Sequence, residues 1–127
     1  MAVTHPVGTR DGIVNYVTGQ INSGTPPGKL QFQTAANAAV ATVTFGNPAF
    51  GASSGGTATA NATVDDTNAI GGTIAKGVMQ TGSATPAVIV QFSVTATGGG
   101  GDIEMNSVVV SAGQTVHITS LTYSGPP

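Results

Sequence analysis

The sequence predicts a mainly β protein, a single-domain antiparallel β-sandwich or jelly roll with one short N-terminal helix. Gly, Ala and Thr make up 55 of the 127 residues, which leaves few of the Leu, Glu, Lys and Arg residues that surface helices use. Beyond residue 28 the apolar residues recur with the period of two that is typical of strands. About two thirds of the unfolded surface of a chain of this length can be buried, so we expect one core and one domain over residues 1–127.

The helix is predicted at residues 9–22, within an N-terminal arm-and-helix segment of about residues 1–24. Thr9 is a suitable N-cap, and Asp11 would lie in the first turn, near the positive end of the helix dipole. Gly24 supplies a stop. The apolar residues follow the spacing of one helix face: Ile13, Val14, Val17 and Ile21.

Two glycines lie inside this predicted helix. Gly12 and Gly19 each weaken a helix by up to about 1 kcal/mol relative to Ala. The helix should therefore depend on docking its apolar face, either on its own sheet or on a neighbouring subunit.

Strands follow in the first half of the chain. Apolar and polar residues alternate at residues 29–33 and again at residues 41–45, before the turn-forming Gly46-Asn47-Pro48. Residues 57–64 alternate small apolar residues with hydroxyl or amide residues and predict a half-buried antiparallel strand. The Gly- and Ser-rich residues 51–57 between them predict a long loop within the domain.

Four more strands are predicted in the second half. Residues 73–80 predict a weaker strand interrupted by Gly77, and residues 87–95, the richest in β-branched side chains, predict a central core strand. The run of four glycines at residues 98–101 predicts a mobile surface tip. The last two strands are predicted at residues 103–110 and 115–123.

Candidate ligating and catalytic residues are few. Neither His5 nor His117 lies at a metal-ligand spacing from another histidine or acid. Asp65-Asp66 can offer carboxylate oxygens to Ca²⁺, as can Asp102 with Glu104, but neither pair has the spacing of an EF-hand loop. We interpret these acids as solvated loop residues, and they are the sole support for an enzyme hypothesis.

Nucleophile and phosphate motifs are also weak. The segment Gly51-Ala52-Ser53-Ser54-Gly55 has glycines at both ends but no strand leading into it and no apparent His or acid partner for the serine. The glycine run at 98–101 lacks the Lys of a phosphate loop. We therefore expect no catalytic residue, no cofactor-binding residue, no metal ligand and no cofactor, and we expect that the protein is not an enzyme.

Charge points to a protein that works through its surface. Three basic and five acidic residues give a net charge of −2, too few cations for a nucleic-acid partner. No segment approaches the length of a membrane span, and the N-terminus lacks the pattern of a signal peptide. Uncharged faces of Ala, Thr, Ser and Gly dock with little loss of rotamer entropy, so we expect a binding module that forms a homo-oligomer.

Five segments occur in a recognisable order. They are a helix at 10–23, the strand Gly28-Lys29-Leu30-Gln31-Phe32, the sequence Phe-Gly-Asn-Pro-Ala-Phe at 45–50, the Ala/Thr-rich strand at 57–64, and residues 101–123 with Val-x-Ile-Thr-Ser-x-Thr at their end. This order resembles the capsid decoration, or cement, proteins of tailed bacteriophages, a family of small β-rich virion proteins. The chain departs from that family at residues 75–78, where relatives often carry an aromatic or basic residue.

The resemblance implies a non-enzymatic virion protein that binds and stabilises the lattice of the major capsid protein. It would be made in the bacterial host cytoplasm and would lie on the exterior of the capsid, with no direct contact to nucleic acid or membrane. The alternative is a structural component of the tail or neck, or a virion module that contacts the host surface. An enzyme is the third hypothesis.

We place the expected partner contacts at the two ends of the chain. The N-terminal arm, residues 1–11, offers apolar anchors, and the C-terminal end spans residues 123–127. The alternative for both ends is frayed chain. The candidate partner-binding residues are Val3, Pro6, Val7, Arg10, Tyr123 and Pro126.

Overall fold

The structure, a computed structural model, describes residues 3–22 and 27–125. One helix precedes nine strands in the described chain. The elements are α1 (Val7–Gln20), β1 (Lys29–Gln33), β2 (Ala39–Thr44), β3 (Thr57–Thr59), β4 (Gly72–Thr73), β5 (Lys76–Gln80), β6 (Val88–Ala96), β7 (Ile103–Met105), β8 (Val109–Val110) and β9 (Thr122–Ser124).

The predicted fold class is confirmed: the protein is mainly β, with one short helix at its N-terminal end. Five strands form the main sheet in the order β2-β1-β5-β6-β7, and β3-β9 and β4-β8 form two smaller sheets. All the strand pairs are antiparallel except β6 with β7, which is parallel. The main sheet is therefore mostly, not entirely, antiparallel.

The helix begins earlier than predicted. Pro6 is its N-cap, with φ −59° and ψ 155°, and the Pro6 carbonyl accepts the Arg10 amide at 3.0 Å. Proline suits this end because the first amides of a helix have no partner within it. The predicted N-cap at Thr9 is wrong, and Asp11 lies beyond the first turn. The predicted stop at Gly24 falls outside the described residues.

Helix α1 packs against its own chain. Val14, Thr18 and Ile21 are buried, and the Thr18 hydroxyl donates to the Val14 carbonyl at 2.9 Å, which removes the cost of burying it. The helix contacts β3 and β9. The helix was expected to dock either on its own sheet or on a neighbouring subunit, and it packs on strands of its own chain. The buried face includes Thr18, which the predicted apolar face did not contain.

The middle of the main sheet is β5, and the strand predicted as central, β6, lies next to the edge strand β7. Gly77 does not interrupt β5. It lies opposite Phe32 of β1 and Phe92 of β6, and a Cβ built on it would be 2.4 Å from the Phe92 ring. The glycine therefore makes room for that ring, and the actual gap in the predicted strand at 73–80 falls at residues 74–75.

Three other predicted strands are shorter than expected because the chain changes partners along them. The predicted strand at 57–64 pairs with β9 only over β3, after which the Ala60 amide donates to the Leu121 carbonyl and Val64 pairs with Thr44. The predicted strand at 103–110 divides into β7 and β8. The predicted strand at 115–123 is reduced to β9.

The core lies between the main sheet, the helix and the β3-β9 ribbon. The rings of Phe45 and Phe50 lie 5.5 Å apart at 45°, a favourable tilted arrangement. Four core residues are alanines. The largest fully buried side chains are Phe45, Ile21, Leu30, Ile74, Val14, Val40 and Val43.

The two edges of the main sheet differ. The outer edge of β2 is covered by residues 64–71, since Val64 exchanges two backbone hydrogen bonds with Thr44 and the Ile70 amide donates to the Val40 carbonyl. The Asp66 carboxylate accepts the Thr42 amide at 2.8 Å. The outer side of β7 has no strand beside it within the described residues.

Candidate partner-binding surfaces

The N-terminal arm and one side of α1 form an uncharged exposed surface. Val3 is 77% exposed and Tyr16 is 70% exposed, while Pro6 and Val7 are also exposed. We define the helix outer face as the exposed helix residues that lie opposite the buried stripe. It consists of Gly8, Thr9, Gly12, Tyr16 and Gly19.

The glycines of the helix outer face have no packing role within the chain. A Cβ built on Gly8, Gly12 or Gly19 would meet no atom within 4 Å. In a helix these residues lose backbone entropy without a compensating contact. The face is consequently flat, and its largest projecting side chain is that of Tyr16.

The side chains of Asp11 and Asn15 hold α1 to the loop at residues 51–56. Asp11 Oδ1 accepts the Ser53 hydroxyl at 2.6 Å and the Gly56 amide at 2.7 Å. Asn15 Oδ1 accepts the Ser53 amide at 2.9 Å. The expectation that Ser53 has no acid partner is therefore wrong: its hydroxyl donates to the Asp11 carboxylate, which also accepts the Gly56 amide and so joins the loop to the helix.

These hydrogen bonds also stabilise the ionised form of Asp11. The Ser53 hydroxyl, the Gly56 amide and, to a smaller extent, the positive charge of Arg10 hold the pKa of Asp11 below its ordinary value of 3.8, while desolvation opposes them. Arg10, a predicted contact residue, is half-buried over Gly56. Its Nε is buried with no hydrogen-bond partner.

The C-terminal candidates lie partly outside the described residues. Tyr123 is half-buried, pairs with Ala58 across the β3-β9 ribbon, and packs against the core. It supplies the large side chain that the small Ala58 needs opposite it. Pro126 falls outside the described residues.

The structure brings together one pair that the sequence did not predict. His117 Nδ1 lies 2.6 Å from Asp65 Oδ1, across 52 residues of sequence. Both side chains are exposed to solvent, at 61% and 36%. The spacing of His117 and Asp65 in the sequence does not predict this contact, because the contact depends on backbone pairing between residues 114–116 and residues 66–69.

The other acids that were considered for Ca²⁺ and interpreted as solvated loop residues accept hydrogen bonds from neighbouring strands and turns. Asp102 Oδ2 accepts the Ser93 amide at 2.9 Å and the Ser93 hydroxyl at 3.1 Å. Both bonds lower the pKa of Asp102, and the bond from the amide has the larger effect. Glu104 accepts the Gly98 and Gly100 amides. The glycine run is therefore exposed, as predicted, and is held to Glu104 by its backbone.

Within residues 3–22 and 27–125, no three His, Asp or Glu side chains come together as a metal-binding group. The same part of the chain contains no helix that is both long enough and apolar enough to cross a membrane.

Two cavities lie beside the C-terminal segment. The larger, of about 520 Å³, separates β7 from residues 114–121 and has Phe32 among its lining residues. The smaller, of about 390 Å³, lies between β6 and β9. Ile103 and Leu121 line both. We call the larger cavity the β7 groove.

No protein-family model matches the chain, and neither a curated protein nor a solved structure matches it. The resemblance to phage decoration proteins therefore depends on the sequence segments alone, and the surfaces described above carry the functional argument.

Proposed function

We propose that this chain is a non-enzymatic decoration protein of a tailed-bacteriophage head, which binds the lattice of the major capsid protein from outside. The observation that carries the proposal is the uncharged surface formed by the N-terminal arm and the helix outer face. Val3 and Tyr16 project from it, and its three glycines permit a partner to approach the helix backbone closely.

The glycines favour a partner at this surface over a merely solvated helix. Replacing any of Gly8, Gly12 or Gly19 with Ala would meet no steric obstacle in the chain itself. Ala would also strengthen the helix. Close packing of another protein on this face accounts for glycines at these positions, because an added methyl group would hold the partner's surface away.

The mechanism is burial of apolar area shared among many copies. Each copy would cover Val3 and Tyr16 against a capsid subunit and remove their apolar surface from water. A protein that binds the assembled shell and not its separated subunits stabilises the shell by mass action. Contacts that bridge neighbouring subunits add the effect of high effective concentration.

The test uses isolated phage heads that lack this protein. Purified protein is added, its copies per head are measured by gel densitometry, and head melting is followed by calorimetry. We expect saturable binding and a higher melting temperature of the heads. Deleting residues 2–8, or the Tyr16→Ser substitution, should lower occupancy.

A matched control is available in Ile70, which is 68% exposed beside the outer edge of β2. Ile70→Ser removes exposed apolar area away from the helix outer face and should leave occupancy unchanged. Full occupancy by both the deletion and Tyr16→Ser, or equal melting of heads with and without the protein, contradicts the proposal. Gold labelling of intact virions separates a head location from the tail or neck alternative.

A further inference from the structure

The β7 groove is bounded by an edge strand that is open on one side. β7 has β6 as its one neighbour in the described chain, whereas the other edge of the sheet is covered by residues 64–71. An open edge strand is a template for pairing with another extended segment. Any added strand must enter between β7 and residues 114–121.

The backbone of β7 presents one residue to that space. The Thr97 amide donates to the Met105 carbonyl at 2.9 Å, so the backbone groups of Met105 are directed toward β6. Backbone groups alternate in direction along a strand. The N–H and C=O of Glu104 are therefore directed toward the open side, where a partner strand can exchange hydrogen bonds with them.

The walls of the groove suit the side chains of such a strand. Its volume of about 520 Å³ lies within the range of roughly 300–1,000 Å³ found for ligand sites. The apolar lining residues are Phe32, Ile103, Met105, Val109, Val110, Val116, Ile118 and Leu121. One face of an inserted strand can therefore be apolar.

Two carboxylates with no basic partner among the described residues lie at the groove and beside it. Glu104 lines the groove and Asp102 lines the neighbouring cavity, whereas Asp65 is paired with the lining residue His117. Glu104 and Asp102 accept hydrogen bonds from neutral amides and a hydroxyl, which leave their negative charges uncompensated. No Lys or Arg is among the described residues that line either cavity.

This charge disfavours a second copy of β7 as the occupant, since pairing β7 with itself about a two-fold axis would bring Glu104 near its equivalent, and like charges on paired strands are destabilising. A basic partner has the complementary sign. We propose that the β7 groove binds an extended segment of another protein, alternating apolar and basic residues, which adds to the sheet as a strand beside β7. This inference does not depend on the proposed capsid function.

The test titrates the full chain, labelled with ¹⁵N, with a capped heptapeptide that alternates Lys and Val. We expect shifts of the amide signals of Ile103–Met105 and a measurable Kd at millimolar peptide or below. A heptapeptide of alternating Glu and Val should bind more weakly. The Lys-Val peptide with N-methylated amides should lose binding, because it cannot donate backbone hydrogen bonds to β7.

The Glu104→Gln variant removes the charge and keeps one side-chain oxygen, which can accept one of the two amides that now donate to separate oxygens of Glu104, that of Gly100 at 3.0 Å. We expect its Kd for the Lys-Val peptide to rise by about threefold at low salt, as for one exposed ion pair. The matched control is Thr85→Lys, which changes net charge by the same amount at an exposed residue between β5 and β6 and should leave Kd unchanged. Equal binding of the Lys-Val and Glu-Val peptides, retained binding of the N-methylated peptide, shifts confined to the helix outer face, or no shifts overturn the inference.

Discussion

Replacing Gly12 with Ala should stabilise the folded protein and at the same time weaken its binding to phage heads. Gly12 is an interior residue of α1, exposed, and free of any atom within 4 Å of a built Cβ. Ala is more favourable than Gly in a helix interior by roughly 0.8–1.0 kcal/mol. The added methyl group contacts nothing within the chain, so we expect the whole of this difference in the free energy of unfolding.

The first measurement is urea denaturation of the free protein, in which Gly12→Ala should raise the midpoint without changing the slope. The melting temperature should rise by about 4 °C, the shift that corresponds to roughly 1 kcal/mol in a chain of this size. The second measurement is occupancy on isolated heads. Occupancy should fall, because the methyl group projects from the surface that we propose to be covered.

Thr9→Ala is the matched control for this prediction. It raises helix propensity on the same exposed face but removes side-chain atoms, so it should stabilise the free protein and leave occupancy unaltered or higher. If Gly12→Ala destabilises the free protein, the helix is not packed as described. If it stabilises the protein and occupancy stays the same, the glycines do not serve a close contact and that part of the capsid proposal fails.

Two further predictions concern packing and acid stability. Gly77→Ala should destabilise the protein by about 1–3 kcal/mol, since its Cβ would overlap the Phe92 ring; in a urea double-mutant cycle Phe92→Leu should recover part of this loss, and additive losses would show that the ring is not the cause. Because the pKa of Asp11 is lowered in the folded chain, its stabilising contribution is present above the ordinary value of 3.8 and is lost as pH falls through the lowered value. Asp11→Asn should therefore unfold more easily at neutral pH and lose less stability on acidification, and parallel pH profiles for variant and parent would contradict this assignment.

The parts of the fold that the sequence could predict are those in which alternating apolar and polar residues form a strand that pairs with the next strand along the chain. Residues 29–33 alternate polar and apolar side chains, and β1 pairs with β2, the next strand along the chain. For this hairpin the sequence neighbour is also the spatial neighbour, and one face is consistently buried. The period of two is then sufficient to define the strand.

Near the C-terminus the extent of each strand is set by a short pairing, and for β8 and β9 the partner is far away in sequence. Ile103 pairs with Val94, Val109 pairs with Thr73, and Thr122 pairs with Thr59. Each pairing lasts only two or three residues before the chain turns toward a different neighbour. Alternation in the sequence continues through these changes, so it predicted longer strands than those that form.

The candidate functional surfaces also contain features that the sequence could predict and features that it could not. Val3, Pro6 and Val7, which the sequence analysis names as contact residues of the N-terminal arm, are exposed. The contact between His117 and Asp65 could not be predicted from the sequence, because the proximity of the two residues depends on hydrogen bonds between residues 66–69 and 113–116. A carboxylate bound by main-chain amides, as in Glu104, is likewise invisible in a sequence, since every non-proline residue carries the donor.

The β7 groove follows from the same composition that predicted a mainly β protein. In the segment 114–121, Val116 and Leu121 are buried and Ile118 is half-buried, while the remaining residues are polar. Three apolar side chains in eight residues cannot fill the space above an exposed three-residue edge strand, so the segment stays apart from β7 and leaves a cavity. A chain built from Gly, Ala and Thr thereby retains an open strand edge beside apolar walls, and the acids around that edge restrict what can complete the sheet there.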